Sequence, residues 1–275
     1  MAWPFLVLLG ILTGSYGVMI GSGGGFVLAP VLIITTDLEP EIVAGTVLAA
    51  GAMNSISGSY TYHRMRLIDY RSSLLFAGVA IPGSLIGVFG IEYVSDTVFK
   101  VLFGVLLLVL ASQIIMRSKL YKADYIAIHS PQSSPRLRAR HIRAKDGDEH
   151  RYEFNEIYAT SFNFVLGFIS SFFGTGGGFL RTPILVSYFR FPIQVASATS
   201  IFALSIYSTI GAAIHAALGH VEWFPIFVCT GAGLLVGGQC GALITRYIKG
   251  VWLMRALVIM ILTFAIRLVL YGFYN

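Results

Sequence analysis

The sequence predicts an all-α polytopic membrane protein built from two inverted-topology repeats, each a glycine-broken hairpin plus three transmembrane helices. Three observations predict it. The 275 residues are 56% hydrophobic and only 12% charged, with mean hydropathy +0.78. That is more apolar surface than a soluble core of this length can bury, so lipid must solvate part of the chain. Near-continuous apolar runs of spanning length recur along the sequence. Finally, GSGGGFVLAP from Gly21 to Pro30 returns as GTGGGFLRTP from Gly174 to Pro183, an offset of 174 − 21 = 153.

The elements follow in chain order. Apolar runs at 3–20, 42–61, 72–91 and 99–116 form the first half, and runs at 157–172, 194–217, 223–244 and 251–272 form the second. Most can cross a hydrocarbon layer of roughly 30 Å as helices, with 157–172 the shortest. The first run lacks a small-residue cleavage site followed by polar sequence, so it is expected to be a retained span. Two shorter pieces, 26–36 and 179–189, have 11 residues each. At about 1.5 Å per residue they reach roughly half a bilayer. The repeat register extends beyond the glycines: Gly14 matches Gly167, Thr46 matches Thr199, Gly58 matches Gly211, and Ile68-Asp69-Tyr70 matches Val221-Glu222-Trp223. One inserted residue later, Gly83 and Gly87 match Gly237 and Gly241. A broken hairpin plus three spans brings the second half into the membrane from the opposite side. The expected division is 1–117, a linker loop at 118–152, and 153–275.

Net charge +6 reflects topology rather than nucleic-acid binding. Nine of the nineteen Lys and Arg residues lie between Arg117 and Arg151, around a Ser/Pro/Gln cluster at Ser130 to Pro135 typical of a flexible linker. Cytoplasmic loops are enriched in Lys and Arg. Placing this loop in the cytoplasm puts the turn with His63, Arg64, Arg66 and Arg71 inside, along with Arg190, Arg246, Lys249 and Arg255. Asp37, Glu39, Glu41, Glu92 and Asp96 then fall outside, as do 219–222 and both termini. Lys100, at an external helix start, is the exception. Asp69 and Glu222, at equivalent loop positions, are expected at the membrane interface. Arg267 is expected to snorkel, and Cys229 and Cys240 to pack in one apolar span rather than form a disulfide or bind metal.

The glycine runs carry the candidate site. Consecutive glycines permit positive φ and close backbone approach, and each run opens a helix at Phe26 or Phe179. A helix start presents unpaired N–H groups and the positive end of its dipole, which suit an anion. Two such starts meeting near the midplane make a small anion site from Ser22, Gly23, Gly24 and Gly25 and from Thr175, Gly176, Gly177 and Gly178. Thr182, Thr46, Asn54, Thr199 and Ser200 add polar groups. Close helix packing through Gly10, Gly14, Gly17 and Gly21 is the structural alternative. Arg181 stands where the first half has Leu28; an arginine at membrane depth is a candidate for holding an anionic substrate. His215 lies within an apolar span and is the candidate for proton coupling. No span has Asp or Glu at its centre. No membrane-depth carboxylate pair, histidine-rich metal set or phosphate-binding loop appears, so neither enzymatic activity nor a cofactor is expected.

Two copies of a G-[ST]-GGGF-x(3)-P motif in a duplicated ten-segment chain resemble the sulfite exporter TauE/SafE family. The resemblance covers essentially the whole chain and matches at Gly21 to Phe26 with Pro30 and at Gly174 to Phe179 with Pro183. It implies ATP-independent movement of sulfite or organosulfonates such as sulfoacetate across the bacterial inner membrane. A different small anion such as a carboxylate, or an anion channel, fits the same residues. The expected partners are a small anionic substrate, membrane lipid and a coupling proton or sodium ion; homo-oligomerisation is left open, and nucleic acid is not expected. The long basic central loop is a less expected feature of the family, and leaves open a regulatory or lipid-binding role.

Overall fold

The computed structural model describes residues 3–118, 137–245, 247 and 258–267. The Ser130 to Pro135 cluster, Arg246, Lys249, Arg255, both chain ends and much of the 251–272 run lie outside the described residues. The first half contains α1 (Trp3–Ile20), α2 (Gly25–Thr35), α3 (Pro40–Met65), α4 (Tyr70–Gly90) and α5 (Asp96–Ser118). Strands β1 (Arg138–Arg143) and β2 (Glu149–Phe154) follow. The second half contains α6 (Glu156–Ser161), α7 (Asn163–Phe172), α8 (Gly178–Ser187), α9 (Ile193–Ala217), α10 (Val228–Ile244) and α11 (Val258–Arg267).

Local chemistry explains the boundaries. α3 opens on Pro40, whose missing N–H lies where the helix needs none. Asp69 caps α4 by accepting from Ser72 N at 3.1 Å, and Asn155 caps α6 by accepting from Tyr158 N at 3.2 Å. The 26 residues of α3 give about 39 Å of helix, whereas α2 and α8, with 11 and 10 residues, reach about half that. Among the described residues, five stretches are long and apolar enough to cross a membrane: Trp3–Ile20, Pro40–Met65, Tyr70–Tyr93, Ile193–Ala217 and Trp223–Ile244. Leu8, Leu12, Ile56, Leu74, Ile86 and Val105 point outward, as lipid-facing side chains must.

The halves interlock by exchanging equivalent elements. α3 lies along α9, α1 packs on α10, and α4 packs on α7. Small residues permit the close approaches. A Cβ on Gly237 would lie 2.4 Å from Ile11 O, and one on Gly83 would lie 2.0 Å from Phe164 O. The same exchange appears in hydrogen bonds. Thr46 Oγ1 accepts from Glu222 N at 2.8 Å, and Thr199 Oγ1 accepts from Asp69 N at 3.2 Å. Both residue pairs are related by the offset of 153. Phe99 and Phe103 of α5 pack on Phe172 and Phe173 at the end of α7, in a core that also receives Ile261 and Ala265 of α11.

Two expectations change. The 157–172 run is divided into α6 and α7, with Asn163 Nδ2 donating back to Ala159 O at 2.6 Å across the break. The linker is not wholly irregular, because 138–154 forms an antiparallel hairpin that runs two residues past the expected boundary at 152. Asp69, expected at the membrane interface, is buried within the protein: it accepts from Ser72 Oγ at 2.6 Å and Tyr152 Oη at 2.9 Å, with Arg140 Nε 3.5 Å away. Arg140 also pairs with Glu156, and Lys145 N donates to Met65 O at 3.0 Å. These contacts dock the hairpin over the α3–α4 turn. The two cysteines are free.

Candidate functional site

The two glycine runs fold alike. Gly21, Gly23 and Gly24 have φ of 84°, 72° and 82°, and Gly174, Gly176 and Gly177 have φ of 69°, 83° and 61°. Other residues rarely adopt this left-handed conformation, so the spacing G-x-G-G is a backbone requirement. Each run ends on a left-handed N-cap that starts α2 or α8, and neither cap position supplies a side-chain hydrogen bond. Among the described residues, Gly25 N, Phe26 N and Phe179 N bond no acceptor. The loops meet face to face: a Cβ on Gly178 would lie 1.9 Å from Gly21 O, and one on Gly25 would lie 2.9 Å from Gly174 O. Phe26 and Phe179 stack with centroids 5.7 Å apart and planes inclined by 10°.

Arg181, in the first turn of α8, is 1% exposed. Its Nε donates to Asn163 Oδ1 at 2.6 Å and its Nη1 to Ser200 O at 3.3 Å, and the guanidinium lies 5.1 Å from the centroid of the Tyr207 ring. Its Nη2 has no partner, and Arg181 forms no ion pair among the described residues. Around it, Thr182 Oγ1 donates to Ser200 Oγ at 3.1 Å and Tyr207 Oη donates to Gly176 O at 2.6 Å. A Cβ on Gly21 would lie 2.4 Å from Thr182 Oγ1, so this cluster reaches the first glycine loop. The buried Thr175 Oγ1 and Ser170 Oγ also lack partners, and Ser170 Cβ is 3.1 Å from the position a Cβ on Gly177 would take.

The sequence-derived residues therefore divide. Gly23 to Gly25, Gly176 to Gly178, Thr175, Arg181, Thr182 and Ser200 come together. Ser22 Oγ donates to Gly17 O at 3.1 Å. Thr46 and Thr199 accept from the backbone of the opposite half and form structural ties. Asn54 Nδ2 donates to Gly14 O at 3.3 Å, toward α1, while its Oδ1 is unpartnered. Sequence reasoning missed Asn163, Ser170 and Tyr207. Tyr207 had a signal, because 207 − 153 = 54 makes it the repeat counterpart of Asn54. Asn163 corresponds to Gly10 and had none.

His215 is buried at the end of α9. Its Nε2 lies 3.2 Å from Ser171 O; a carbonyl only accepts, so Nε2 carries the hydrogen. Nδ1 is then free to accept from His220 Nδ1, 3.2 Å away, and His220 Nε2 lies 3.7 Å from the half-exposed Glu92 carboxylate. The repeat counterpart of His215 is Tyr62, whose hydroxyl donates to Val18 O, the counterpart of Ser171 O, at 3.0 Å. The inner contact of His215 is thus a shared structural tie, and its link to His220 and Glu92 is peculiar to the second half.

Half-helices opening from glycine turns inside a bundle of spanning helices, beside polar side chains, are the architecture of secondary transporters. The relatives are named as membrane transporters. The chain is 30% identical over 274 residues to the "Probable membrane transporter protein YunE" of Bacillus subtilis, covering 95% of this chain and 96% of that one. It is 28% identical over 257 residues to the "Probable membrane transporter protein y4hK" of Sinorhizobium fredii, covering 90% and 91%. A "Probable membrane transporter protein" of Methanocaldococcus jannaschii is 24% identical over 227 residues, covering 80% and 74%. The chain is a multi-pass membrane transporter. It belongs to the sulfite exporter TauE/SafE family, which matches residues 6–268. No solved structure matches it.

Proposed function

We propose that this protein carries small sulfur-containing anions, sulfite or organosulfonates such as sulfoacetate, across the bacterial inner membrane by alternating access between two inverted repeats. Arg181 is the observation that carries the reading. A buried cation with no carboxylate partner is costly by several kcal/mol, and an oxyanion at Nη2 offsets that cost. The glycine-loop amides and Thr175 supply further donors. The matched φ pattern and reciprocal Thr46 and Thr199 bonds support the inverted repeat. The hairpin docks beside Arg64, Arg66 and Arg71, away from the α4–α5 turn that holds Glu92 and the α9–α10 turn that holds His220, which supports a cytoplasmic central loop and external termini. His220 and Glu92 give His215 a route to that second face and support proton coupling. On this reading a proton gradient drives flux, and His215→Gln uncouples it.

The test of the anion site is thermal stability of the detergent-purified protein with sulfite, sulfoacetate, isethionate, taurine, sulfate and acetate. Arg181→Leu restores the apolar residue of the first half and removes the buried charge. Its stability without ligand should change by no more than about 1–3 kcal/mol, because relief of the buried charge is opposed by the donor that the buried Asn163 Oδ1 loses. Sulfite or a sulfonate should stabilise the wild type by about 2–3 kcal/mol near a hundredfold excess over Kd and leave the variant unshifted. A shift that persists in the variant, or none in the folded wild type, contradicts the site.

A further inference from the structure

The docked hairpin creates a second cationic feature, remote from the glycine loops. Between β1 and the α3–α4 turn lies a cavity of about 260 Å³, lined by His63, Arg66, Tyr70, His141 and Arg143 together with Ile68 and Ile142. No carboxylate lines it. Glu149, opposite Arg143 in the hairpin register, is engaged by Arg151 Nη2 at 3.1 Å and His141 Nε2 at 3.3 Å. The guanidinium groups of Arg66 and Arg143 have no hydrogen-bond or ion-pair partner among the described residues, their hydrogen bonds being those of the backbone. His63 Nδ1 lies 2.5 Å from Tyr70 Oη, which fixes the cavity wall at the start of α4.

Arg66 supplies an independent observation. It ends α3 in the left-handed conformation, with φ 57°. The residue at the same place in the second half, 66 + 153 = 219, is Gly219 with φ 82°. Glycine is the unstrained choice for such a helix terminus, and a long side chain there carries a conformational penalty. The first half nevertheless holds an arginine at this position, and its side chain lines the cavity. The exposed side chains at the end of α3 point to its level in the membrane. α3 presents Ile56 and Tyr60 outward, just before His63, and Arg64 lies over the Tyr60 ring at 5.8 Å. A lipid-facing tyrosine followed by cations marks the headgroup layer.

We propose that this cavity binds a phosphate group, supplied by the headgroup of an anionic phospholipid. Two guanidinium forks offer paired N–H donors to phosphate oxygens, and basic pockets at membrane interfaces suit such headgroups. The lipid would join the hairpin to the end of α3, tying the linker between the halves to the bilayer. This site does not depend on the identity of the transported anion.

The test is native mass spectrometry of delipidated protein titrated with dioleoyl-phosphatidylglycerol, with dioleoyl-phosphatidylcholine and soluble glycerol 3-phosphate as comparison probes. Phosphatidylglycerol should bind at one saturable site, at least tenfold more weakly in Arg66→Asn with Arg143→Gln. Asparagine tolerates the left-handed conformation, so the helix end is preserved. Should the double variant fail to fold, Arg143→Gln alone should still weaken binding severalfold. Arg138→Gln removes an exposed hairpin charge that does not line the cavity and lies opposite Phe154, and should leave binding unchanged. Equal affinity for glycerol 3-phosphate, lost in the same variant, would keep the phosphate site and reassign its source to a soluble ester. Equal retention of both lipids, equal loss in Arg138→Gln, or no saturable binding would overturn the proposal.

Discussion

A single hydrogen replaced by a methyl group at Gly178 meets the backbone carbonyl of Gly21 at 1.9 Å. Neither atom belongs to a flexible side chain, so both loops must shift. Gly178→Ala should destabilise the protein by about 3 kcal/mol or more, at or beyond the upper end for overpacking. The comparison is Gly78→Ala in α4, where a Cβ meets nothing within 4 Å and removing a helical glycine should contribute about 0.5–1 kcal/mol. Melting temperatures in detergent check both, and similar behaviour of the two variants would contradict the packed junction. At this scale the sequence was readable where chemistry alone decides: three glycines in a repeated pattern require unusual φ, and an arginine in an apolar helix requires a reason. It was less readable where a hydroxyl has several uses. Thr46 and Thr199 look like ligand donors in isolation, yet each accepts a bond from the opposite half, a role visible only once the halves are assembled.

The hairpin β1–β2 shows the same limit for an element. Its turn contains Asp146-Gly147-Asp148, and Gly147 has φ 97°, a hairpin signal by turn chemistry. The density of arginines and the adjacent Ser/Pro/Gln cluster obscured it, because the strands carry few apolar residues to reveal a period of two. Their inward side chains matter most: Tyr152 lies 4.3 Å from Phe191 between ring centroids, Phe154 packs at 4.8 Å on the same ring, and Tyr152 Oη donates to Asp69. Burial, and then the Asp69 carboxylate, push the Tyr152 hydroxyl far above its ordinary range, so it remains a neutral donor across physiological pH. Tyr152→Phe leaves the buried Asp69 one donor short and should cost about 1–3 kcal/mol. Hydrogen exchange of the 138–154 amides should accelerate at least tenfold while α3 and α9 remain protected. Unchanged exchange in the hairpin would show that aromatic packing alone holds it.

For the whole molecule, the offset of 153 organises the fold. It relates the starts of α2 and α8 (25 and 178), of α3 and α9 (40 and 193), and of α4 and the Trp223–Phe227 turn that leads into α10 (70 and 223). It also relates the left-handed glycines and the paired threonine bonds. These features were legible because duplicated sequence leaves duplicated backbone demands. The departures from symmetry were harder to weigh: Arg181 opposite Leu28, His215 opposite Tyr62 and Arg66 opposite Gly219. Each places a polar or charged group where the other half needs only structure, and each is assigned a ligand, proton or lipid in the present account.

Counterflow in proteoliposomes tests the central claim most directly. With unlabelled sulfite or sulfoacetate preloaded, external label should accumulate transiently above its equilibrium level, saturably, and not at all in Arg181→Leu. An imposed proton gradient should drive net uptake in the wild type but not in His215→Gln, which should retain exchange. Non-saturable flux without counterflow would identify an anion channel instead, and absence of flux for both anions in correctly folded protein would contradict the account.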